Sequence, residues 1–171
     1  MADSGEYPVV FLLHEDDLIV FFRGSVTANH SYALYQQLAT WLTEKPVEHV
    51  FLDLHLATYI DSTTVGTLIK IHKLQRSLGK RCVLTNLSRS VKEILGQMKL
   101  LGYFRIAEDE NTRELEDRVV EQIPVEQQER VSSEFVLDAH HDIVNIVPEL
   151  RGEFETLLKA LENATEGDEE R

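Results

Sequence analysis

The stretch that decides the fold is YIDSTTVGTL, residues 59–68, in which four consecutive side chains carry oxygen. The apolar run HVFLDLHLA precedes it, and IKIHKLQRSLGK, with apolar residues at helical spacing, follows it. This pattern predicts a strand that passes directly into a helix, with Asp61, Ser62, Thr63 and Thr64 at the junction. Such residues are preferred at a helix N-terminus because their side chains accept hydrogen bonds from free N–H groups.

Two interpretations of this junction stay open. In the first, Asp61 or Ser62 only caps the helix. In the second, the hydroxyls form a functional site, as is common where strands meet helices in α/β sheets. A serine-hydrolase elbow would require Gly-x-Ser-x-Gly, and residues 60–64 read Ile-Asp-Ser-Thr-Thr. A phosphate-binding loop would require several glycines and a Lys, whereas this stretch holds Gly66 alone. A third functional hypothesis is that a hydroxyl is itself phosphorylated, which adds about −1.5 to −2 charges.

Strand-like and helix-like segments alternate outward from the junction. Strand-like runs lie at 9–13, 18–22, 47–54, 81–85 and 103–106, and helical patterns at about 30–42, 62–78 and 90–101. The polar HEDD between the first two runs predicts a hairpin. The later strands alternate with helices, which predicts parallel pairing with right-handed crossovers and therefore a mixed sheet in an α/β fold.

The charge of the chain is concentrated in its second part. Residues 1–106 hold 11 Lys and Arg against 10 Asp and Glu, whereas residues 107–171 hold 6 against 20, within a net charge of −13. Nucleic acid is a poor partner for such a chain because its phosphates would be repelled. No apolar run is long enough to span a membrane, and the acidic start lacks a signal core. The single Cys82 fits a reducing cytoplasm and reads as a core residue, so we expect a cytoplasmic protein.

The composition predicts four segments. They are a folded domain over 1–106, an acidic linker that is helical in part over 107–130, a helical appendage over 131–162 and a disordered tail over 163–171. In the appendage, apolar positions and one His alternate spacings of four and three from residue 136 to 161, which indicates a heptad seam. Pro148 is expected to split this helix. The seam predicts either a homodimer through 136–161 or packing back onto the first domain.

Two further clusters have less specific patterns. His140 and His141 are adjacent on a predicted helix, so they point about 100° apart and cannot share a metal on one face. The remaining histidines show no ligand spacing, and we expect no metal and no cofactor. A basic stretch on and after the second helix, Lys70 to Arg81, is either a solvated face or a dock for an acidic partner or for the acidic tail of the chain.

Residues 8–106 resemble the STAS domain, which sulfate transporters and anti-sigma factor antagonists share. The matching features are the strand VFLDL, the step IDST leading into a helix with Gly66, the segment LGKRCVLTNLSRSVKEIL, and the closing LLGYFRI. The resemblance implies a mixed β-sheet with helices packed on one face, to which this chain adds a C-terminal helical extension. It also implies a protein-binding module and not an enzyme.

The resemblance also implies site residues. In bacterial antagonists the Ser after the Asp is phosphorylated by an anti-sigma factor that is a serine kinase, and Ser62 matches that position, with Thr63 as a rival acceptor. Asp61, Ser62, Thr63, Thr64 and Gly66 would form the partner surface. Asp53 and Gly24 would support it structurally.

The sequence departs from the family pattern in two places. After the second strand it has Gly-Ser-Val-Thr at 24–27 where Gly-Glu-Leu-Asp is common, and it has Thr64 where Gly is common. With these departures, the resemblance still implies a bacterial phosphoprotein of the antagonist type that acts in transcription regulation. The alternatives are a STAS scaffold that is never phosphorylated and, from a different class, a serine hydrolase that uses Ser62.

Overall fold

The computed structural model describes residues 7–116 and 130–169. The elements up to residue 116 are β1 (Val9–His14), β2 (Asp17–Val26), α1 (Ala28–Glu44), β3 (His49–Ile60), α2 (Ser62–Ser77), β4 (Arg81–Thr85), α3 (Arg89–Gln97), β5 (Ile106–Ala107) and α4 (Glu110–Glu116). Two further helices, α5 (Ser133–Ile146) and α6 (Arg151–Glu169), follow, with a 3₁₀ turn at Pro148–Leu150 between them.

The five strands form one sheet in the order β1-β2-β3-β4-β5. Strands β1 and β2 pair antiparallel through a tight turn, and the remaining neighbours pair parallel, each crossover carrying one of α1, α2 and α3. The predicted order of elements and the mixed sheet are therefore confirmed. The STAS fold inferred from the resemblance is the fold of residues 9–107.

Strands β2 and β3 run further than the sequence pattern predicts. The predicted runs ended at Phe22 for β2 and at Leu54 for β3, but the two strands continue in parallel to Val26 and Ile60. They do so through two register shifts, and Gly24 takes a φ of 64°, which a residue with a Cβ rarely adopts. The extension brings the first turn of α1 beside the first turn of α2.

The main core lies between the sheet and helices α1 to α3. Representative fully buried side chains are Phe22, Leu38, Leu52, Leu68 and Val91. The opposite face of the sheet has a smaller apolar cluster of Val10, Ile19 and Phe21, against which Phe51 and Leu115 of α4 are partly buried. Helices α1 to α3 thus share one face, as predicted, and α4 lies against the other.

Cys82 lies inside the main core. The residue is 5% exposed, and burial raises the pKa of its thiol to about 12. The thiol is therefore protonated at neutral pH and behaves as a small apolar side chain, in agreement with the interpretation from sequence.

The last strand is shorter than predicted. The apolar run 103–106 was read as a strand, but pairing with β4 begins at Ile106 and ends at Ala107. Tyr103 instead closes a turn by donating its N–H to the carbonyl of Leu100. The rings of Tyr103 and Phe104 pack on His72 of α2, at centroid distances of 5.1 and 6.1 Å. Packing of these aromatic side chains competes with strand extension here.

The buried carboxylate of Asp53 joins β3, β4 and α4. Its Oδ2 accepts hydrogen bonds from Thr85, Asn86 and Thr112, at 3.1, 2.7 and 3.1 Å, and its Oδ1 contacts the ring of His55. Thr112 is 3% exposed and lies beyond the predicted boundary at residue 106. A domain ending at 106 would therefore omit residues that complete this network, and residues 107–116 form β5 and α4 where the linker was expected to begin. The rest of that linker, 117–129, lies outside the described residues.

The C-terminal helices follow the predicted appendage and extend it. Pro148 splits the helical segment, as expected, because helix α5 ends at Ile146 and α6 begins at Arg151. Helix α6 continues to Glu169, so residues 163–169 are helical where a disordered tail was expected. In that stretch the Thr165 hydroxyl donates to the Glu162 carbonyl one turn back.

The predicted seam is used largely within the chain. His140, Ile143, Val147 and Leu150 are buried, and the last three of them belong to the main core. Leu157 is 39% exposed. The appendage thus packs back on the first domain, which was the alternative to a dimer.

Replacing Asp53 with Asn tests the polar network. An amide puts an NH₂ group among N–H and O–H donors, so we expect Asp53→Asn to lower the free energy of unfolding by about 2–4 kcal/mol. The matched control is Asp17→Asn, because Asp17 also pairs with a His, 2.8 Å away, but at a half-exposed site. The control should cost about 0–1 kcal/mol in urea denaturation. Equal losses in the two variants would contradict a structural role for the network.

Candidate partner-binding site

The carboxylate of Asp61 caps two helices at once. Its Oδ1 accepts the N–H of Thr64 at 2.8 Å, which caps α2, and its Oδ2 accepts the N–H of Ala28 at 2.9 Å, in the first turn of α1. Both helix N-termini carry partial positive charge, and a carboxylate placed between them is stabilised by both. Asp61 therefore fixes the site at the point where two helices begin.

Thr64 also contacts the Asp61 carboxylate, from the buried side of α2. Its hydroxyl lies 2.7 Å from Asp61 Oδ1 and 3.1 Å from the carbonyl of Val26, and the residue has no exposed surface. The β-branched hydroxyl at this position thus connects α2 to the end of β2. Thr64, expected on the partner surface, is inside the protein.

The two candidate phosphate acceptors differ in exposure. Ser62 is partly exposed, whereas Thr63 is 5% exposed. The backbone carbonyl of Thr63 accepts the hydroxyl of Thr67 at 2.8 Å, an ordinary contact within α2. Of the two, Ser62 is the more accessible hydroxyl.

The hydroxyl of Ser62 is hydrogen-bonded to the C-terminal helix α5. Its Oγ lies 2.8 Å from Nε2 of His140, and Nδ1 of that ring lies 2.7 Å from the carbonyl of Val136. A carbonyl can only accept, so Nδ1 carries the ring proton and Nε2 accepts the proton of Ser62. The hydroxyl is a donor in this arrangement.

His140 is buried. Burial lowers the pKa of its imidazole, against the opposing effects of the Val136 carbonyl and the Asp61 charge. The ring is therefore neutral at pH 7, as the hydrogen bond from Ser62 requires. Its outer face meets the ring of Phe154 of α6 edge-on, at a centroid distance of 5.0 Å.

Gly66 allows α5 to approach α2 closely. A Cβ at this position would lie 2.5 Å from the carbonyl oxygen of Ala139 and 2.6 Å from its Cβ, which is far inside van der Waals contact. The glycine, expected to face a partner protein, faces a helix of its own chain. Close approach places His140 within hydrogen-bonding distance of Ser62.

Aromatic and charged contacts complete the attachment of α5. The ring of Phe135 lies 5.0 Å from that of Tyr32 and 5.8 Å from that of Tyr35, both on α1. Asp142 forms ion pairs with Lys70 at 3.0 Å and with Lys73 at 2.8 Å. The hydrogen bond from Lys73 to Asp142 raises the pKa of that ammonium group. Part of the basic stretch thus serves as a dock for the acidic C-terminal region, one of the possibilities left open by the sequence.

The structure brings Asp61, Ser62 and Gly66 together with three residues that the sequence did not assign, Ala139, His140 and Asp142. Asp53 lies apart from them, in the polar network around β4. Gly24 acts through the β2–β3 register. The sequence did carry a partial signal for this contact: a glycine within α2, basic residues on the same helix and an acidic C-terminal region.

The site lies at the N-termini of α1 and α2, where the parallel strands β2 and β3 end. The sequence matches the STAS domain family over residues 9–113, and the chain belongs to that family. Helices α5 and α6 lie beyond the matched residues.

Solved structures with the same fold include anti-sigma factor antagonists. The anti-sigma factor antagonist SpoIIAA in its unphosphorylated form is 14% identical, with a TM-score of 0.54, covering 66% of this chain and 99% of its own. A variant of RsbS from Moorella thermoacetica is 22% identical, with a TM-score of 0.53 and coverages of 66% and 97%. The Bacillus cell fate determinant SpoIIAA in its phosphorylated form is 15% identical, with a TM-score of 0.53 and coverages of 65% and 98%. At these identities the likeness shows the fold.

Among residues 7–116 and 130–169, no three His, Cys, Asp or Glu side chains are grouped so that they could hold a metal ion. Within the same ranges no helix combines the length and apolar character that crossing a bilayer requires.

Adding one methyl group at Gly66 tests the close contact. We expect Gly66→Ala to push α5 away from α2, because the new Cβ meets backbone that cannot rotate aside, and to increase hydrogen exchange of the α5 amides at least tenfold. The control is Gly96→Ala in α3, an exposed helical site where a Cβ would lie 3.5 Å from Leu101 Cδ1, an ordinary contact. If both variants leave exchange in α5 unchanged, the close approach is not what holds the helix.

Proposed function

We propose that this protein is a regulatory binding module of the anti-sigma factor antagonist type, which binds a serine-kinase anti-sigma factor and is switched by phosphorylation of Ser62. The observation that carries the proposal is the position of Ser62. Ser62 lies in the first turn of α2, directly after the capping Asp61, and is partly exposed; the corresponding Ser in the family is the phosphorylated residue. Thr63 is the rival acceptor, and its burial disfavours it.

The surroundings of Ser62 would tolerate a phosphate in the absence of α5. A phosphate at a helix N-terminus gains about 0.3–1 kcal/mol from the helix dipole. The nearby carboxylate of Asp61 already accepts hydrogen bonds from Ala28 and Thr64, which offsets part of its repulsion. Phosphorylation would then change the charge of the surface without unfolding the domain.

An unphosphorylated scaffold is the second candidate. The observation that favours it is the hydrogen bond from Ser62 to His140, which occupies the hydroxyl. Self-association through residues 136–161 stays a prediction, and the burial of His140, Ile143, Val147 and Leu150 within the chain leaves less apolar surface for it.

The pair of Ser62 and His140 also has the geometry of a nucleophile and its base, which bears on the hydrolase alternative. Three features weigh against catalysis. The ring nitrogen Nδ1 bonds to a backbone carbonyl and not to a carboxylate that would stabilise an imidazolium ion, the ring is buried, and burial lowers its pKa. We therefore propose that the protein is not an enzyme.

Protein recovered from its native host tests the proposal directly. We expect a fraction of the chains to carry one phosphate by intact mass, and peptide mapping to place it on Ser62. Ser62→Ala should remove the phosphate, whereas Thr63→Val should retain it. A serine-directed fluorophosphonate probe is expected to leave Ser62 unlabelled.

Each other outcome has a defined meaning. Phosphate on Thr63 alone would move the switch by one residue. Absence of phosphate under every growth condition, with a host anti-sigma factor bound equally by wild type and Ser62→Asp, would leave the scaffold function. Labelling of Ser62 by the fluorophosphonate would favour the hydrolase.

A further inference from the structure

Helix α5 lies along a groove between α1 and α2, and the groove is shaped for a helix. We define this α1–α2 groove by its lining residues Tyr32, Tyr35, Gly66, Lys70 and Lys73. At one point Phe135 is buried against the two tyrosine rings, and at another Ala139 rests on Gly66. A glycine on one helix facing an alanine on the other allows the two backbones to approach more closely than larger side chains would.

The charges of the α1–α2 groove match those of α5. Asp142 is 9% exposed and reaches both Lys70 and Lys73. Asp142 and Lys70 are largely buried, so a positive charge at position 142 would meet two ammonium groups and repel α5 from the groove. With α5 absent, the same groove would present two free ammonium groups and an apolar floor.

A further contact of α5 is the hydrogen bond between His140 and Ser62. We propose that the α1–α2 groove is a helix-binding surface, that α5 occupies it within the chain, and that docked α5 restricts the access of a partner or kinase to Ser62, which becomes fully accessible when α5 leaves. The part that concerns the kinase rests on the proposed function, whereas the occupation of the groove and the shielding of Ser62 do not.

Phosphorylation and docking of α5 oppose each other in this arrangement. The Ser62 hydroxyl donates to Nε2 of neutral His140 at 2.8 Å, and a phosphorylated Ser62 has neither that proton nor room for the phosphoryl group in that direction. The phosphate would also lose water next to the Asp61 carboxylate. By linkage, the factor by which the phosphate lowers the equilibrium constant for α5 docking is also the factor by which docking disfavours the phosphorylated state. A modified chain would therefore stay open.

The features of α5 also define the partner that this groove would fit. A competing helix must place an aromatic residue, a small residue four positions later and an acid three positions after that, the spacing of Phe135, Ala139 and Asp142. An anti-sigma factor that uses this groove should meet Ser62 with such a helix. The chain would then be controlled by competition between its own helix and that of its partner.

A cysteine at position 62 reports access without any kinase. In the full chain carrying Ser62→Cys we expect slow labelling by a bulky maleimide while α5 is docked. Adding Asp142→Lys should raise the labelling rate at least tenfold. The matched control adds Asp138→Lys, the same charge change at an exposed position of α5, and should leave the rate unchanged. Cys82 serves as an internal monitor, since its buried thiol reacts only if the first domain opens.

A second set of measurements checks the assigned contacts. Lys70→Glu with Lys73→Glu should restore slow labelling to the Asp142→Lys chain by re-forming the ion pairs. A synthetic peptide of residues 131–147, added to the Asp142→Lys chain, should slow labelling, and the same peptide with Asp142→Lys should not. Equal rates in the docked and charge-reversed chains would overturn the proposal, and so would a failure of the unmodified peptide to slow labelling at millimolar concentration.

The phosphate readout separates this inference from the proposed function. In the native host, Asp142→Lys should raise the phosphorylated fraction at Ser62 relative to wild type and to Asp138→Lys. An equal phosphorylated fraction in wild type, Asp142→Lys and Asp138→Lys, with tenfold faster labelling of the Asp142→Lys chain, would overturn the control of phosphorylation by α5. The phosphorylation switch at Ser62 would then stand. Phosphate in none of them, with the labelling difference present, would refute the switch and leave α5 as the occupant of the groove.

Discussion

The carboxylate of Asp61 is the contact on which the site depends. It accepts hydrogen bonds from the first turns of α1 and α2, so the start of one crossover helix is fixed relative to the start of the next. The β2–β3 pair makes this possible, because it continues through two register shifts as far as Val26 and Ile60, next to the starts of α1 and α2. Ser62 follows Asp61 directly in the chain, so the same contacts fix the position of its backbone. The α1–α2 groove begins at the same joint.

The C-terminal helix α5 covers this surface within the chain. We propose that, without α5, Gly66 and the Ser62 hydroxyl at the start of α2 would present a face that another protein can approach. Here Ala139 and His140 of the chain itself approach it, with Phe135 and Asp142 securing the contact on either side. A module whose binding surface is filled by its own helix binds others with an affinity reduced by the fraction of time the surface is closed. Control of that fraction then becomes control of function.

The sequence predicted the strand–helix order well because its apolar periods and its turns agree with one another. It also placed Ser62 at a helix start, since an Asp-Ser-Thr-Thr run after an apolar strand has few other uses. It did not predict the extent of β2, because a bulge at Gly24 has no local signature beyond a glycine. The contact between Ser62 and His140 joins residues 78 apart in sequence, and no local pattern encodes such a pairing. His140 was read as a seam residue, which its burial supports, but its partner emerged only from the docking of α5.

The central claim is that Ser62 and His140 are joined while α5 is docked, and the most direct measurement is a ¹⁵N NMR titration of the His140 ring in the full chain. The account predicts a neutral ring protonated at Nδ1 near pH 7, and a pKa below the ordinary value for His because burial disfavours the charged form. Ser62→Ala should shift the Nε2 resonance while leaving Nδ1 protonated. A ring that exchanges between both tautomers and titrates with an ordinary pKa, unaffected by Ser62→Ala, would contradict the account.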